Sequence, residues 1–463
     1  MSGGCSVAIV GGGFSGAAVA FHLARGGWDG PITVFEPRPL LGAGLAYSTM
    51  DPAHRINVPA TRMSLLPDEW PEQFADWLHD RPELAADPAA TLPDGRVFPA
   101  RSLFGRYVAD HLDPFVRMGA IVHRRDDVID AKPAGNGWRL LTGRGERHAA
   151  DTLVLANSHP PPAVPRALNG LVGHPGLIAD PWQADALAAI EPDASLLIVG
   201  TGLTMADVVA TLDRRGHRGP ILAISRRGQR SRGHGVGTVE PEGDFSGQAI
   251  TSAAVLLRQV RSAVAHANGH GRSWHGVLDQ VRVQGPTIWQ ALPAPQKASL
   301  LRHLRPYWDT HRFRIAPQIE SAIMRAMARG QLRIEAGRVM AARDAGQIQV
   351  ELEGRRGAYA HRIFDTVINT TGPGHAEIVG TSTLLGSLAR QGAIRPGPLG
   401  LGLLADGASR AISGAEQRLR PFVAGPLARE YFGELMGLPE VARHAQLVAD
   451  GVQLEGRSRN ARA

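Results

Sequence analysis

At 463 residues, with 43% hydrophobic and 20% charged residues, the chain has length for roughly three domain-sized pieces and too ordinary a composition for wholesale disorder. A single cysteine, Cys5, excludes an internal disulfide framework, a multi-cysteine zinc site and a Cys-x-x-Cys dithiol. The 50 basic and 43 acidic residues leave a net charge of +7, but lysine occurs only at 132 and 297, and no base-reading motif accompanies the arginines, so nucleic acid is not an expected partner.

Residues 6–10 (SVAIV) form a short β-branched apolar run, the pattern of a parallel strand buried on both faces. The turn GGGFSG follows at once, then a small-residue helical pattern to Arg25, a stop at Gly26 and Gly27, and a second strand over 32–35 closed by Glu36. This uncharged opening lacks the basic leader of a signal peptide and reads as strand, turn and helix. No other stretch approaches the ~20 apolar residues of a membrane span. A soluble, cytoplasmic protein without membrane contact is expected.

Residues 151–156 (DTLVLA) read as a further strand leading into the proline-rich connector SHPPPAVP. A second strand, glycine turn, helix and strand then run over 195–225. Residues 252–329 carry apolar positions at three- and four-residue spacing and are expected to form a helical insertion over one side of this second unit. A strand over 365–370 (DTVINT) resembles that over 151–156, and the Arg-rich end, 455–463, is expected to be a frayed tail.

The chemistry resides first in Gly11-x-Gly13-x-x-Gly16, with Glu36 twenty residues beyond. Such glycines allow a tight turn, close approach of backbone N–H groups to a pyrophosphate and close helix–strand packing, while the acid bonds an adenosine ribose. Phe14 and Ser15 fill the turn and are counted with the cofactor-binding residues. The order strand, turn, helix, strand, acid makes the motif far stronger than the glycines alone. The second turn keeps Gly200 and Gly202, with Thr204 inside it, but carries Met205 at the third glycine position. After its second strand stand Arg226 and Arg227, where an acid would select an unphosphorylated ribose. Arginines there suit a 2′-phosphate and favour NADPH over NADH, a solvated basic turn being the competing reading.

These segments, together with INVPATRMS (56–64), GTGLTMADVV (200–209), ISRRG (224–228), RPYWDTHRFRIAP (305–317), VINTTGPG (367–374) and AGPLAR (424–429), resemble the bacterial FAD/NAD(P)-binding family of two-dinucleotide-binding flavoproteins. The resemblance implies an α/β fold of two Rossmann-like, three-layer domains, with the NAD(P) domain inserted into the FAD domain. The expected parts are 1–165 and 365–454 for FAD and 185–360 for NAD(P). It also implies that Gly425 lies in the segment closing on the flavin. A subset of the family is similar to FAD-dependent urate hydroxylases.

The expected activity is therefore that of an FAD- and NAD(P)H-dependent monooxygenase acting with molecular oxygen on a small polar molecule. Urate, giving 5-hydroxyisourate in purine metabolism, is its most concrete named candidate. Lone Cys5, ahead of the first strand, speaks against the disulfide reductases of the superfamily. A reductase serving a quinone or protein acceptor, and a flavin-bound sensor, stay open. Arg55 and Asn57 are the residues proposed beside the flavin, with His54 and Arg62 nearby, while Arg101, ahead of a helical stretch, is read as a structural pairing residue or else a phosphate or substrate partner. Trp308, His311, Arg312 and Arg314 stand at a second aromatic and cationic cluster, either lining a cleft or forming an ion-pair network with Asp309. His-Glu-x-x-His is absent and no metal is expected.

Overall fold

The computed structural model describes residues 4–461 apart from 158–159, 238, 248–250, 356, 375–376 and 415–418. Its first sheet is built on β1 (Val7–Val10), β2 (Ile32–Phe35), β3 (Ile121–Arg124), β7 (Thr152–Leu155) and β15 (Phe422–Val423), in the order β15-β7-β1-β2-β3. All four of its pairings are parallel, and every residue of β1 and β7 is buried, as a sheet covered on both faces requires. The helix Phe14–Arg25 packs alanines against one face, and the C-terminal helix Glu440–Asn460 packs on that helix in turn. An antiparallel meander, β4 (Val128–Ala134), β5 (Gly137–Thr142) and β6 (Arg147–Ala150), covers the other face.

The second sheet has the order β13-β12-β11-β10-β9-β14-β8. Its parallel part comprises β8 (Leu177–Ile178), β9 (Leu196–Val199), β10 (Ile221–Ser225), β14 (Thr366–Asn369) and the first half of β11 (Leu332–Asp344). The second half of β11 continues into an antiparallel meander with β12 (Ile348–Gly354) and β13 (Tyr359–Phe364). The α/β class, the two dinucleotide-type sheets and the insertion of one within the other agree with the sequence reading.

Two boundaries differ. Strand β14 was expected to open the last part of the first domain, but it pairs with β9 and β8 and so completes the second sheet, as does 177–178 ahead of the expected start at 185. The tail is helical as far as Asn460 rather than frayed from 455. Arg459 anchors it by donating to the carbonyls of Asn136 and Asp151 at 2.8 and 2.9 Å and to Glu455 at 2.6 Å.

The block at 253–328 is helical as read, but its elements face two ways. Pro317–Ala328 packs on the second sheet's helix Leu203–Arg214, whereas Ala253–Gly269 and Trp274–Val283 build a separate apolar cluster around Phe245 and Ile288. Among the described residues no helix is long and apolar enough to cross a membrane.

Candidate active site

The two glycine turns are built alike. Gly11 has φ +99°, and a Cβ there would strike the Ala156 carbonyl at the end of β7. Gly200 has φ +114°, and its Cβ would lie 2.6 Å from the Thr370 carbonyl at the end of β14. Each turn therefore needs glycine twice over, for conformation and for the neighbouring strand's backbone. Gly13 and Gly202 then cap the helices Phe14–Arg25 and Leu203–Arg214, and neither helix has a side-chain cap or an acid in its first turn. The first-turn N–H groups are thus left for an anion, and the helix dipole favours one. Gly16 is also obligatory, since a Cβ would collide with the Gly11 carbonyl. Met205, its counterpart, is fully buried in the helix–sheet core, as its flexible side chain allows.

Glu36 sits at the end of β2, 3% exposed, and accepts from the Gly12 N–H at 3.0 Å and the Arg38 N–H at 3.1 Å. Gly11, Gly13, Phe14, Ser15 and Glu36 all line one cleft of about 330 Å³. Gly425 (φ +70°), in the last segment, abuts the Ser15 hydroxyl so tightly that a Cβ would overlap it, and Pro426 beside it lines the cleft. Thr204, Asn369 and Thr370 of the second lobe border the same cleft, so residues of both lobes meet at a shared space. Its volume is within the ~300–1,000 Å³ typical of small-molecule sites. Asn157, on its wall, has a buried Oδ1 with no hydrogen-bond partner, a polar atom that suits a bound group with a donor.

A smaller polar chamber of about 200 Å³ adjoins the cleft and shares Ala46, Tyr47, Arg101 and Met436 with it. Asn57 lines the chamber, its side-chain oxygen accepting from Arg101 at 3.3 Å and its carbonyl from His234 Nε2 at 2.8 Å. That bond places the His234 proton on Nε2, and burial lowers the ring's pKa to about 4, so the imidazole is neutral. Burial also pushes the Tyr47 phenol up to about 12, which keeps it protonated between cleft and chamber. Asp279 faces the chamber held by Arg314 at 2.9 Å, with Arg62 at 3.9 Å.

Arg55 belongs elsewhere. It is 8% exposed, lines neither cleft nor chamber, and pairs with Asp87 through both guanidinium ends, with Nη2 at 2.9 Å. The proposed role beside the flavin is therefore corrected: β-like pairing of Arg55 with Ala100 turns the side chain toward 87, whereas Asn57, two residues on, reaches the chamber. His54 is likewise structural, bonded to Thr49 at 2.7 Å and Thr211 at 3.1 Å. Arg312 and Arg314 do reach the chamber, while Trp308 and His311 line a different cavity. Arg226 and Arg227 are exposed beyond β10; Arg227 stacks over Tyr307 at 4.7 Å, and Arg226 has no side-chain partner among the described residues. Cys5 lies outside cleft and chamber, its thiol 3.9 Å from the Gly456 carbonyl. Tyr47, His234 and Asp279 escaped the sequence reading, since none belongs to a local motif; Asp279 offers only an acid amid an apolar helical pattern.

Among the described residues, no group of three or more His, Cys, Asp or Glu could hold a metal ion.

Residues 8–160 match a protein-family model described as FAD-NAD(P)-binding. No curated protein matches the chain in sequence. Among solved structures, the ornithine hydroxylase of Pseudomonas aeruginosa aligns at 16% identity with a TM-score of 0.64, over 97% of this chain and 99% of that one. The chain shares its fold. L-lysine 6-monooxygenase from Pseudomonas syringae aligns at 18% identity and TM-score 0.64, over 98% and 99% of the two chains. The ornithine N-hydroxylase of Kutzneria sp. 744, solved with reduced FAD, NADP⁺ and L-ornithine, aligns at 16% and 0.63, over 99% and 100%.

Proposed function

We propose that the chain is a single-component, FAD- and NADPH-dependent monooxygenase that hydroxylates the nitrogen of a small amine. The observation that carries this reading is a cleft bordered by the first glycine cradle and by Thr204, Asn369 and Thr370 of the second lobe, with a polar chamber beside it. Gly11, Gly13, Gly16 and the uncapped first turn hold the FAD pyrophosphate, and Glu36 its ribose. Gly200, Gly202 and Thr204 receive the nicotinamide cofactor, with Arg226 and Arg227 on the 2′-phosphate. The flavin supplies the activation of oxygen, and the net reaction converts R–NH₂, O₂, NADPH and a proton into R–NHOH, NADP⁺ and water.

The amine class rests on the neighbours, whose names specify ornithine and lysine, and on the chamber's charges. Of its arginines, Arg282 and Arg312 pair with Glu440 and Glu434 behind the wall and Arg314 with Asp279, whereas Arg62 stands 3.9 Å from Asp279 and is the one placed to receive an amino-acid carboxylate. Tyr47 and Asn57 then face the reacting end. Urate is not among the substrates that these neighbours' names specify, and Arg55, one of the arginines near the segment 56–64, is committed to Asp87.

The test is NADPH and NADH oxidation by the FAD-loaded protein, with oxygen, peroxide and hydroxylamine product followed for ornithine, lysine, cadaverine and urate. An amine that accelerates NADPH loss, suppresses peroxide and yields hydroxylamine supports the reading. Coupling to urate alone, or electron flow only to added quinones, defeats it.

A further inference from the structure

The helical block, with Leu401 and residues 429–434, borders a second, half-open cavity of about 550 Å³, separate from the cleft between the lobes. Its wall is apolar, with Trp274, Trp289 and Trp308 among leucines of several helices. Such a space offers a ligand burial of most of its surface. Two carboxylates border it, and both are engaged. Asp309 is held by Arg305 at 3.3 Å, and Glu434 by Arg312 at 3.1 Å.

Arg429, in the same wall, is the exception. Its side chain is buried, at 7% exposure for the residue. Nε donates to the Gly433 carbonyl at 3.3 Å, but among the described residues no carboxylate lies within ion-pairing distance, and Nη1 is buried without a partner. Burial, and then Arg305, push its pKa down, against the smaller opposing pull of Glu434, Asp309 and Glu430. A buried guanidinium that no carboxylate touches directly is costly, and a ligand that brings one into contact offsets that cost. The two unused amino groups form the fork that matches a carboxylate.

We propose that this cavity binds a monocarboxylic acid with an apolar body, its carboxylate on Arg429 and its hydrocarbon among the tryptophans. Asp309 and Glu434 disfavour a second negative charge on the ligand. The proposal is independent of the hydroxylation reading, because its test measures binding alone.

Isothermal titration of the FAD-loaded protein with octanoate and with 1-octanol separates head group from tail. Octanoate is expected to bind about tenfold or more tighter than the alcohol, the worth of one charge-assisted pair. Arg429→Gln should erase that preference and leave the alcohol's affinity in place. Leu300→Trp, which fills the cavity from the helix Ala294–His303, should weaken both ligands and keeps the test valid if the arginine variant does not fold. Equal affinity for acid and alcohol, millimolar or weaker octanoate binding, or octanoate binding unchanged in Leu300→Trp would each overturn the proposal.

Discussion

Asp365 accepts from both the backbone N–H and the hydroxyl of Ser195, each at 2.7 Å, and so ties the start of β14 to the start of β9. Asp151 does the same to Ser6 at the start of β7 and β1, also at 2.7 Å for both bonds. The two lobes thus repeat a clamp at one end of the sheet and a glycine against a carbonyl at the other.

The clamp makes stability depend on pH in the acid range. The backbone bond from Ser195, and then its hydroxyl, hold the Asp365 carboxyl below the usual carboxylate range. A depressed folded-state pKa contributes stability above the unfolded value of about 3.9, and that contribution disappears as pH falls through the folded pKa. Because Asp365 is exposed, the contribution is under about 1 kcal/mol. Thermal melts of wild type and Asp365→Asn should differ at pH 7 and converge well below pH 4; a difference that persists or grows in acid contradicts the account.

Gly200 and Gly202 should separate folding from cofactor binding. Gly200→Ala forces a Cβ toward the Thr370 carbonyl at positive φ and is expected to cost about 1–3 kcal/mol or more. Gly202 has φ −88° and open space around its Cβ position. Gly202→Ala should therefore melt within a few degrees of wild type while raising KM for the nicotinamide cofactor severalfold. An unchanged KM would remove that glycine from the phosphate site.

The sequence made the strand–turn–helix units legible almost to the residue, because glycines that must meet a neighbouring carbonyl and strands buried on both faces leave local signatures. It also showed the kinship of DTLVLA and DTVINT, whose shared Asp is the clamp. It could not assign β14 to the right sheet, because four-residue buried strands look alike whichever partner they pair with. The chamber was only half legible. Asn57 and Arg314 stood out as polar groups in motifs, but Asp279 and His234 reach it from elements far apart in the chain, and Arg55 was misplaced because Asp87 gives no local sign of being its partner.

The exposed Arg226 gives a discriminating test of cofactor choice. Arg226→Ala should raise KM for NADPH about tenfold, the loss of one charge-assisted phosphate contact, and leave that for NADH nearly unchanged. Equal effects on both cofactors would reassign the residue to general electrostatics. An unaltered KM for NADPH would leave only a solvated turn.

Arg101 and Asp207 form a buried pair between the lobes, with Nη2 3.0 Å from the carboxylate and side chains 8% and 3% exposed. Arg101 also donates through Nε to the Arg55 carbonyl at 2.8 Å. Burial pushes the Asp207 carboxyl above the usual range, against the pull of Arg101. Removing Arg101 alone should cost about 3–5 kcal/mol by leaving a buried charge behind. A cycle of Arg101→Met, Asp207→Leu and the double variant in urea should show the double variant less destabilised than the sum of the two; simple additivity would mean the pair is not coupled.

Phe313 borders both the polar chamber and the apolar cavity of the helical block. Among the described residues it is the side chain that both linings share, a ring felt at once by a room rich in charge and a room rich in hydrocarbon. The cleft between the lobes does not include it. A change at this one ring would therefore reshape two binding spaces together, with the glycine cradles untouched.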